Sequence, residues 1–209
     1  MNETNIKKAA LFDLDGVLVD TEGIYTEFWA DMDARYPTGV EDFAHVIKGS
    51  TLESILSTYF PSADTQEAIV ALLAKHEREM RYRLFPGVAR LLGRLREAGM
   101  GIAIVTSSNR QKMDNLFAQL PELAKAVDIV ITDGDVSHSK PHPEGYLLAA
   151  ERLGVPASQC YVFEDSLNGL RAGRAAGATV VGVATTNSAD VIAPLCDIVL
   201  TNTADFNEV

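Results

Sequence analysis

Ala9-Ala10-Leu11-Phe12-Asp13-Leu14-Asp15-Gly16 is the stretch on which the fold turns. Its first four residues are apolar and uncharged, and Asp-Leu-Asp-Gly then breaks the run. That reads as a strand buried on both faces and ended by a turn. Strands without polar alternation belong to parallel sheets covered by helices. Downstream, Gly101–Val105, Val127–Ile131, Tyr161–Phe163, Thr179–Val183 and Asp197–Leu200 repeat the strand pattern. Between them run helical stripes. Val88, Leu91, Leu92 and Leu95 are closed by Gly99, and Met113, Leu116, Phe117 and Leu120 are stopped by Pro121. Pro143–Leu153 ends at Gly154, with Pro156 beyond it. In Ser166–Ala176, Gly169 and Gly173 fall at i, i+4 and allow close packing on a sheet. Strand–helix alternation predicts an α/β protein with a Rossmann-like, doubly wound parallel sheet. The Gly-x-Gly-x-x-Gly fingerprint is missing after the first strand, which counts against a dinucleotide site.

Residues 17–83 break this alternation. Ile24, Phe28 and Met32 recur every four residues within Thr21–Tyr36. Thr51–Tyr59 is helical in pattern, and so is Gln66–Tyr82, with Ile69, Leu72, Leu73, His76 and Met80 on one face. No strand is read there. Residues 1–16 and 84–209 are therefore expected to form the α/β core, and 17–83 an all-helical domain inserted after the first strand.

The bulk numbers fit this division. With 209 residues, 47% of them hydrophobic, the chain can bury one sizeable core and a satellite. A charged fraction of 22% is that of a folded protein. The net charge of −11 disfavours nucleic acid and anionic lipid as partners, and an anionic substrate would need a local cation. Cys160 and Cys196 have no CxxC neighbour, so neither a zinc site nor a disulfide framework is signalled. His45, His76, His138 and His142 show no ligand spacing and read as surface or loop residues. The N-terminal MNETNIKK is polar and has no signal-peptide pattern, and no apolar run reaches membrane length. A cytoplasmic enzyme is the expectation.

In open α/β sheets ligands bind beyond the carboxyl ends of the strands. The residues there are Asp13 and Asp15, Thr106-Ser107-Ser108, Lys140 in a loop, and Glu164-Asp165. Carboxylates, hydroxyls and one ammonium on one edge suit phosphoryl transfer. A Mg²⁺ held by Asp13 and Asp165 would let a carboxylate approach an anionic ester. Lys140 would hold further charge, and Thr106 would donate to a phosphate oxygen. Asp13 would be the nucleophile. A second carboxyl two residues on could protonate the leaving group and then deprotonate water. Each cluster also has a plainer reading: a turn for Asp-x-Asp-Gly, a helix N-cap for Thr-Ser-Ser-Asn, a solvated lysine, and a carboxylate pair facing a helix dipole. The plain readings would have to fall in this order by coincidence.

Four segments match a known pattern: Phe12-Asp13-Leu14-Asp15-Gly16-Val17-Leu18-Val19-Asp20-Thr21, Ile104-Val105-Thr106-Ser107-Ser108-Asn109, Ser139-Lys140-Pro141-His142-Pro143-Glu144, and Glu164-Asp165-Ser166-Leu167-Asn168-Gly169. The chain resembles the haloacid dehalogenase superfamily over nearly its whole length, and within it the β-phosphoglucomutase-like phosphatases with a helical cap. The resemblance implies Asp13 as nucleophile, Asp15 as general acid and base, and Thr106 and Lys140 as phosphoryl ligands. It implies Mg²⁺ held by Asp13, the backbone carbonyl of Asp15, and Asp165, with Glu164 beside them. It makes the insertion a cap that closes over a small phosphorylated metabolite, a sugar phosphate above others. Tyr25, Trp29, Lys48, Gly49, Ser50 and Thr51 are then candidate substrate contacts, with Ser107, Ser108 and Asn109 from the core. Trp29 and Tyr25 could equally pack within the cap. Asp15 separates this chain from the dehalogenases and phosphonatases, which lack that second acid. A monomer suffices for such a site. Two rivals stay open: a sugar phosphomutase, and a non-catalytic phosphate-binding or regulatory α/β module.

Overall fold

The computed structural model describes residues 8–208. Of the polar stretch MNETNIKK, read as having no signal-peptide pattern, residues 1–7 lie outside them. Strand β1 (Ala9–Phe12) is followed by four helices, α1 (Glu22–Arg35), α2 (Phe43–Val46), α3 (Leu52–Tyr59) and α4 (Ala63–Glu79). Then come α5 (Val88–Glu97), β2 (Gly101–Val105), α6 (Arg110–Gln119), α7 (Pro121–Ala126) and β3 (Ile129–Ile131). The chain continues through α8 (Glu144–Leu153), β4 (Cys160–Glu164), α9 (Leu167–Ala175), β5 (Thr179–Val183), α10 (Ala189–Ile192) and β6 (Ile198–Leu200). The six strands form one sheet in the order β3-β2-β1-β4-β5-β6, and every pairing is parallel. This is the expected α/β fold.

β1 lies in the middle of the sheet, with Phe12 paired to Ile104 on one side and Phe163 on the other. All four of its residues are fully buried, because helices cover both faces. Ala10 and Phe12 face a cluster with Val88, Leu91, Leu92 and Leu95 of α5. Ala9 and Leu11 face the opposite cluster, with Tyr146, Ala149 and Ala150 of α8 and Ala172 of α9. The two glycines of α9 do allow close approach. A Cβ on Gly173 would lie 2.8 Å from Val162 Cγ1.

Helices α1–α4 enclose an apolar cluster of their own, including Phe28, Trp29, Met32, Phe43, Ile55, Phe60, Ile69 and Leu73. Val17, Leu18, Val19, Met80 and Tyr82, at the two ends of the insertion, instead pack into the cluster around α5. Three local expectations need correcting. The last insertion helix spans Ala63–Glu79 rather than Gln66–Tyr82. Ser62 caps it by accepting a hydrogen bond from the Thr65 amide, and Met80 is already extended. Pro121 follows the end of α6 but also opens α7, where a missing amide hydrogen costs nothing. The four-residue helices α2 and α10 are too short to leave a periodic signal. Among the described residues no helix is long and apolar enough to cross a membrane.

Candidate active site

The ends of β1, β2 and β4 deliver Asp13, Thr106 and Glu164-Asp165 to one edge of the sheet. Asp13 is fixed at its backbone, its amide donating to the Phe163 carbonyl at 2.9 Å. Leu14 then turns the chain: its carbonyl accepts from the amides of Leu18 (2.9 Å) and Val19 (3.1 Å), with Gly16 at φ +78°. The turn aims Asp15 at the same edge.

Lys140 is buried, not a solvated surface lysine. Its ammonium donates to Asp13 Oδ1 at 2.5 Å, to Glu164 Oε1 at 2.5 Å and to the Val105 carbonyl at 3.0 Å. Burial works against its charge, but Asp13 and Glu164 outweigh burial and hold its pKa above the ordinary lysine range. All three ammonium hydrogens are engaged, so Lys140 would have to redistribute these bonds to reach a phosphoryl oxygen.

Glu164 is fully buried and accepts five hydrogen bonds. Besides Lys140, the Tyr146 hydroxyl donates to Oε1 at 2.8 Å. The Asp165 and Ser166 amides and the Ser166 hydroxyl donate to Oε2 at 3.1, 3.2 and 3.0 Å. Asp165 takes the Thr186 hydroxyl on its carboxylate and Asn187 Nδ2 on its carbonyl.

One carboxylate oxygen from each of Asp13, Glu164 and Asp165 lies within 4.8 Å of the other two. Burial, opposed by Lys140 and reinforced by Glu164, pushes the Asp13 carboxyl up to about 7. A single ammonium thus leaves three clustered acids short of positive charge. An oxygen-only donor set with excess negative charge fits a hard divalent cation. With five donors already on it, Glu164 serves better to hold Lys140 and the neighbouring amides than to give up lone pairs.

Asp15 sits apart from that cluster. The Thr21 hydroxyl donates to its Oδ1; the Lys112 ammonium and the Ser108 hydroxyl donate to Oδ2 at 2.5 and 3.2 Å. Lys112 was not singled out from the sequence. It lies four residues before Leu116 on the apolar stripe of α6, and that placement was the available signal. Thr21, Tyr146, Thr186 and Glu77 were missed as well, since a polar residue within a helix or loop carries no mark of what it will face. Thr106 Oγ1 accepts from the Ser108 amide at 3.1 Å, so its hydroxyl hydrogen is still available to donate.

The other candidates distribute unevenly. A cleft of about 890 Å³, counting its open mouth, is lined by Asp13, Asp15, Thr106 and Asp165 on the core side. On the insertion side it meets Tyr25, Trp29, Lys48, Gly49 and Ser50. Trp29 is also part of the insertion's packing, edge-on to Phe28 and Phe43. Thr51 caps α3 and lines a second, smaller hollow beside Lys140. Ser107 lines the main cleft, but its hydroxyl donates to the Gly49 carbonyl at 3.1 Å. Asn109 lines it too, while its side-chain oxygen caps α6 through the Lys112 amide at 2.9 Å. A Cβ on Gly49, whose φ is +77°, would lie 2.7 Å from Ser166 Oγ, so the Lys48-Gly49 turn rests directly on the core. Of the histidines, His138 and His142 come together against Glu144, their rings 4.5 Å apart, which their spacing did not suggest. Glu144 also accepts from the Ser137 and His138 amides and so fixes the loop that carries Lys140.

The family model described as a haloacid dehalogenase-like hydrolase matches residues 7–177. Validoxylamine A 7'-phosphate phosphatase of Streptomyces hygroscopicus subsp. limoneus is 33% identical, covering 89% of this chain and 90% of its own length. Hexitol phosphatase A of Escherichia coli is 32% identical, covering 84% and 82%. In fold, the chain is similar to a β-phosphoglucomutase from Clostridium difficile, with a TM-score of 0.78 at 22% identity, over 97% of this chain and 94% of that one.

Proposed function

The chain belongs to the haloacid dehalogenase-like hydrolases, and on that premise we propose that it is a Mg²⁺-dependent phosphohydrolase of small phosphate esters, sugar phosphates above others, working through an aspartyl-phosphate on Asp13. The observation that carries the proposal is a pair of acids held in different ways over one cleft. Asp13 lies in the buried cluster with Lys140, Glu164 and Asp165, and Asp15 lies outside it among donors.

In the first step the Asp13 carboxylate attacks phosphorus. The bond from phosphorus to the ester oxygen breaks, and that oxygen takes a proton from Asp15. In the second, water gives a proton to Asp15 and attacks phosphorus, releasing inorganic phosphate and the free Asp13. Thr106 and Lys140 supply hydrogen bonds to the phosphoryl oxygens. Mg²⁺ would be held by Asp13, Asp165 and the Asp15 carbonyl, and would neutralise charge between nucleophile and ester. The insertion, residues 17–83, is read as a cap whose docked face closes the cleft and excludes bulk water.

Relatives named for phosphorylated polyol-type compounds, a hexitol and validoxylamine A, support a hydroxyl-rich leaving group. Against a mutase stands the insertion side of the cleft. A bisphosphate intermediate needs cations for its second phosphate; on the insertion side Lys48 is the one lysine or arginine lining the cleft among the described residues, Leu52 follows directly after the Lys48–Thr51 turn, and Lys75, Arg78 and Arg81 are exposed. The test is hydrolysis of a chromogenic phosphate ester with and without Mg²⁺, followed by a screen of phosphorylated metabolites ranked by kcat/KM. Phosphate release that requires Mg²⁺ and favours sugar or polyol phosphates is expected. An inert enzyme across the panel would overturn the proposal.

A further inference from the structure

Lys112 is a charged residue on the wrong side of its helix. It lies in the first turn of α6, and its side chain is 1% exposed. A buried ammonium is costly unless paired and hydrogen-bonded. Here Nζ donates to Asp15 Oδ2 at 2.5 Å and to Ser108 Oγ at 2.9 Å, and its remaining face lies 4.3 Å from the centre of the Tyr25 ring. Tyr25 is on α1 of the insertion, and its hydroxyl donates at 2.9 Å to Oε1 of Glu77, a buried acid on α4. Two insertion helices therefore converge on one core lysine, and that lysine holds the proposed acid.

We infer that Lys112 is a positioning residue for Asp15, and that the Tyr25 ring, by covering Lys112, makes the placement of Asp15 depend on the insertion being docked. This rests on the phosphatase reading and deepens it. Asp15 meets the insertion in two ways: directly through the Thr21 hydroxyl, at the N-cap of α1, and through Lys112, over which the Tyr25 ring lies; Ser108 is its remaining donor. Withdrawing the ring would expose the ammonium to water. A higher local dielectric weakens both its attraction to Asp15 and the cation–π contact. The carboxyl would then lose one of the donors that set its rotation. The far end of α6 grips the insertion too: Gln119 Nε2 donates to the Met80 carbonyl at 3.1 Å, and Gln119 Oε1 accepts from the Tyr82 amide at 3.3 Å. One helix thus senses both ends of the insertion.

The experiment compares kcat/KM for 4-nitrophenyl phosphate and for the best alkyl phosphate of the panel, in wild type, Lys112→Met, Lys112→Arg, Tyr25→Leu and the Lys112→Met/Tyr25→Leu double variant. In a two-step reaction kcat/KM reports only the step in which the leaving group departs. An aryl oxide departs with little help, whereas an alkoxide needs the acid. Lys112→Met should lower the alkyl value about 100-fold and the aryl value less than about tenfold, the scale of a misplaced catalytic group. Lys112→Arg, which keeps the charge, should recover part of the alkyl activity. Tyr25→Leu should lower the alkyl-to-aryl ratio on its own and change it no further once Lys112 is methionine. Equal losses on both esters, or additive effects of the two substitutions on the ratio, would overturn the inference. If Lys112→Met does not melt cooperatively, Tyr25→Leu decides alone, and an unchanged ratio would refute the coupling. Wild-type turnover of the aryl ester separates the two readings. If it is present while the ratios stay flat, only the inference fails; if it is absent, the phosphatase reading fails and takes the inference with it.

Discussion

Gly169→Ala is a one-methyl change aimed at the Glu164 carboxylate, which accepts five hydrogen bonds. A Cβ at residue 169 would lie 1.8 Å from Glu164 Cδ and Oε1 and 2.2 Å from Oε2. Relief therefore requires α9 or Glu164 to move by roughly 1.5 Å or more before ordinary contact is reached. Rotation of Glu164 is no escape, since Lys140 and Tyr146 hold Oε1, and two amides and the Ser166 hydroxyl hold Oε2. Overpacking of this kind costs about 1–3 kcal/mol. Loss of at least one charge-assisted hydrogen bond adds about 1.5–3 kcal/mol. The expected destabilisation is about 3–5 kcal/mol, a large share of a stability of order 10 kcal/mol. Because Glu164 fixes Lys140 against Asp13, turnover should also fall about 100-fold in whatever fraction stays folded. Gly173→Ala is the control. Its Cβ would meet Val162 Cγ1 at 2.8 Å, an apolar neighbour with no part in the carboxylate cluster, so it should destabilise while sparing kcat per folded molecule. Urea unfolding with paired activity assays reads both effects. A Gly169→Ala variant within 0.5 kcal/mol of wild type, by the usual scale of a neutral substitution, and fully active would refute the reasoning.

Asp13→Asn should leave the fold intact and lower kcat by about four orders of magnitude or more, the usual loss when a nucleophile is removed; near-wild-type turnover would end the covalent mechanism. In the metal-free protein, Asp13 binds its proton more tightly folded than unfolded, because burial raises its pKa from 3.8 to about 7. Stability from this group is then present at low pH and is lost as pH rises through about 7. Adding Mg²⁺ should accordingly raise Tm more at pH 8 than at pH 5, and equal shifts at the two pH values would count against a metal on Asp13. Incubation with β-glucose 1-phosphate and a trace of glucose 1,6-bisphosphate should yield inorganic phosphate or no reaction. Rapid conversion to glucose 6-phosphate without phosphate release would make the enzyme a mutase.

The sequence by itself determined the α/β fold, because apolar runs of strand length and stripes of helical spacing are one-dimensional signals. It determined which residues end the strands, and since a parallel sheet gathers its strand ends on one edge, Asp13, Thr106 and Glu164-Asp165 could be grouped before any contact was seen. It marked Gly169 and Gly173 as sites of close approach, though Gly169 proves to face the Glu164 carboxylate while Gly173 faces the sheet. Tertiary structure alone decided which charges meet. Lys140, a loop residue 127 positions after Asp13, and Lys112, a helix residue 97 positions after Asp15, are each bonded to their acid at 2.5 Å. No periodicity or spacing encodes such a pairing. It arises when the sheet order sets β2 and β4 on either side of β1, and burial then requires each ammonium to find the nearest carboxylate.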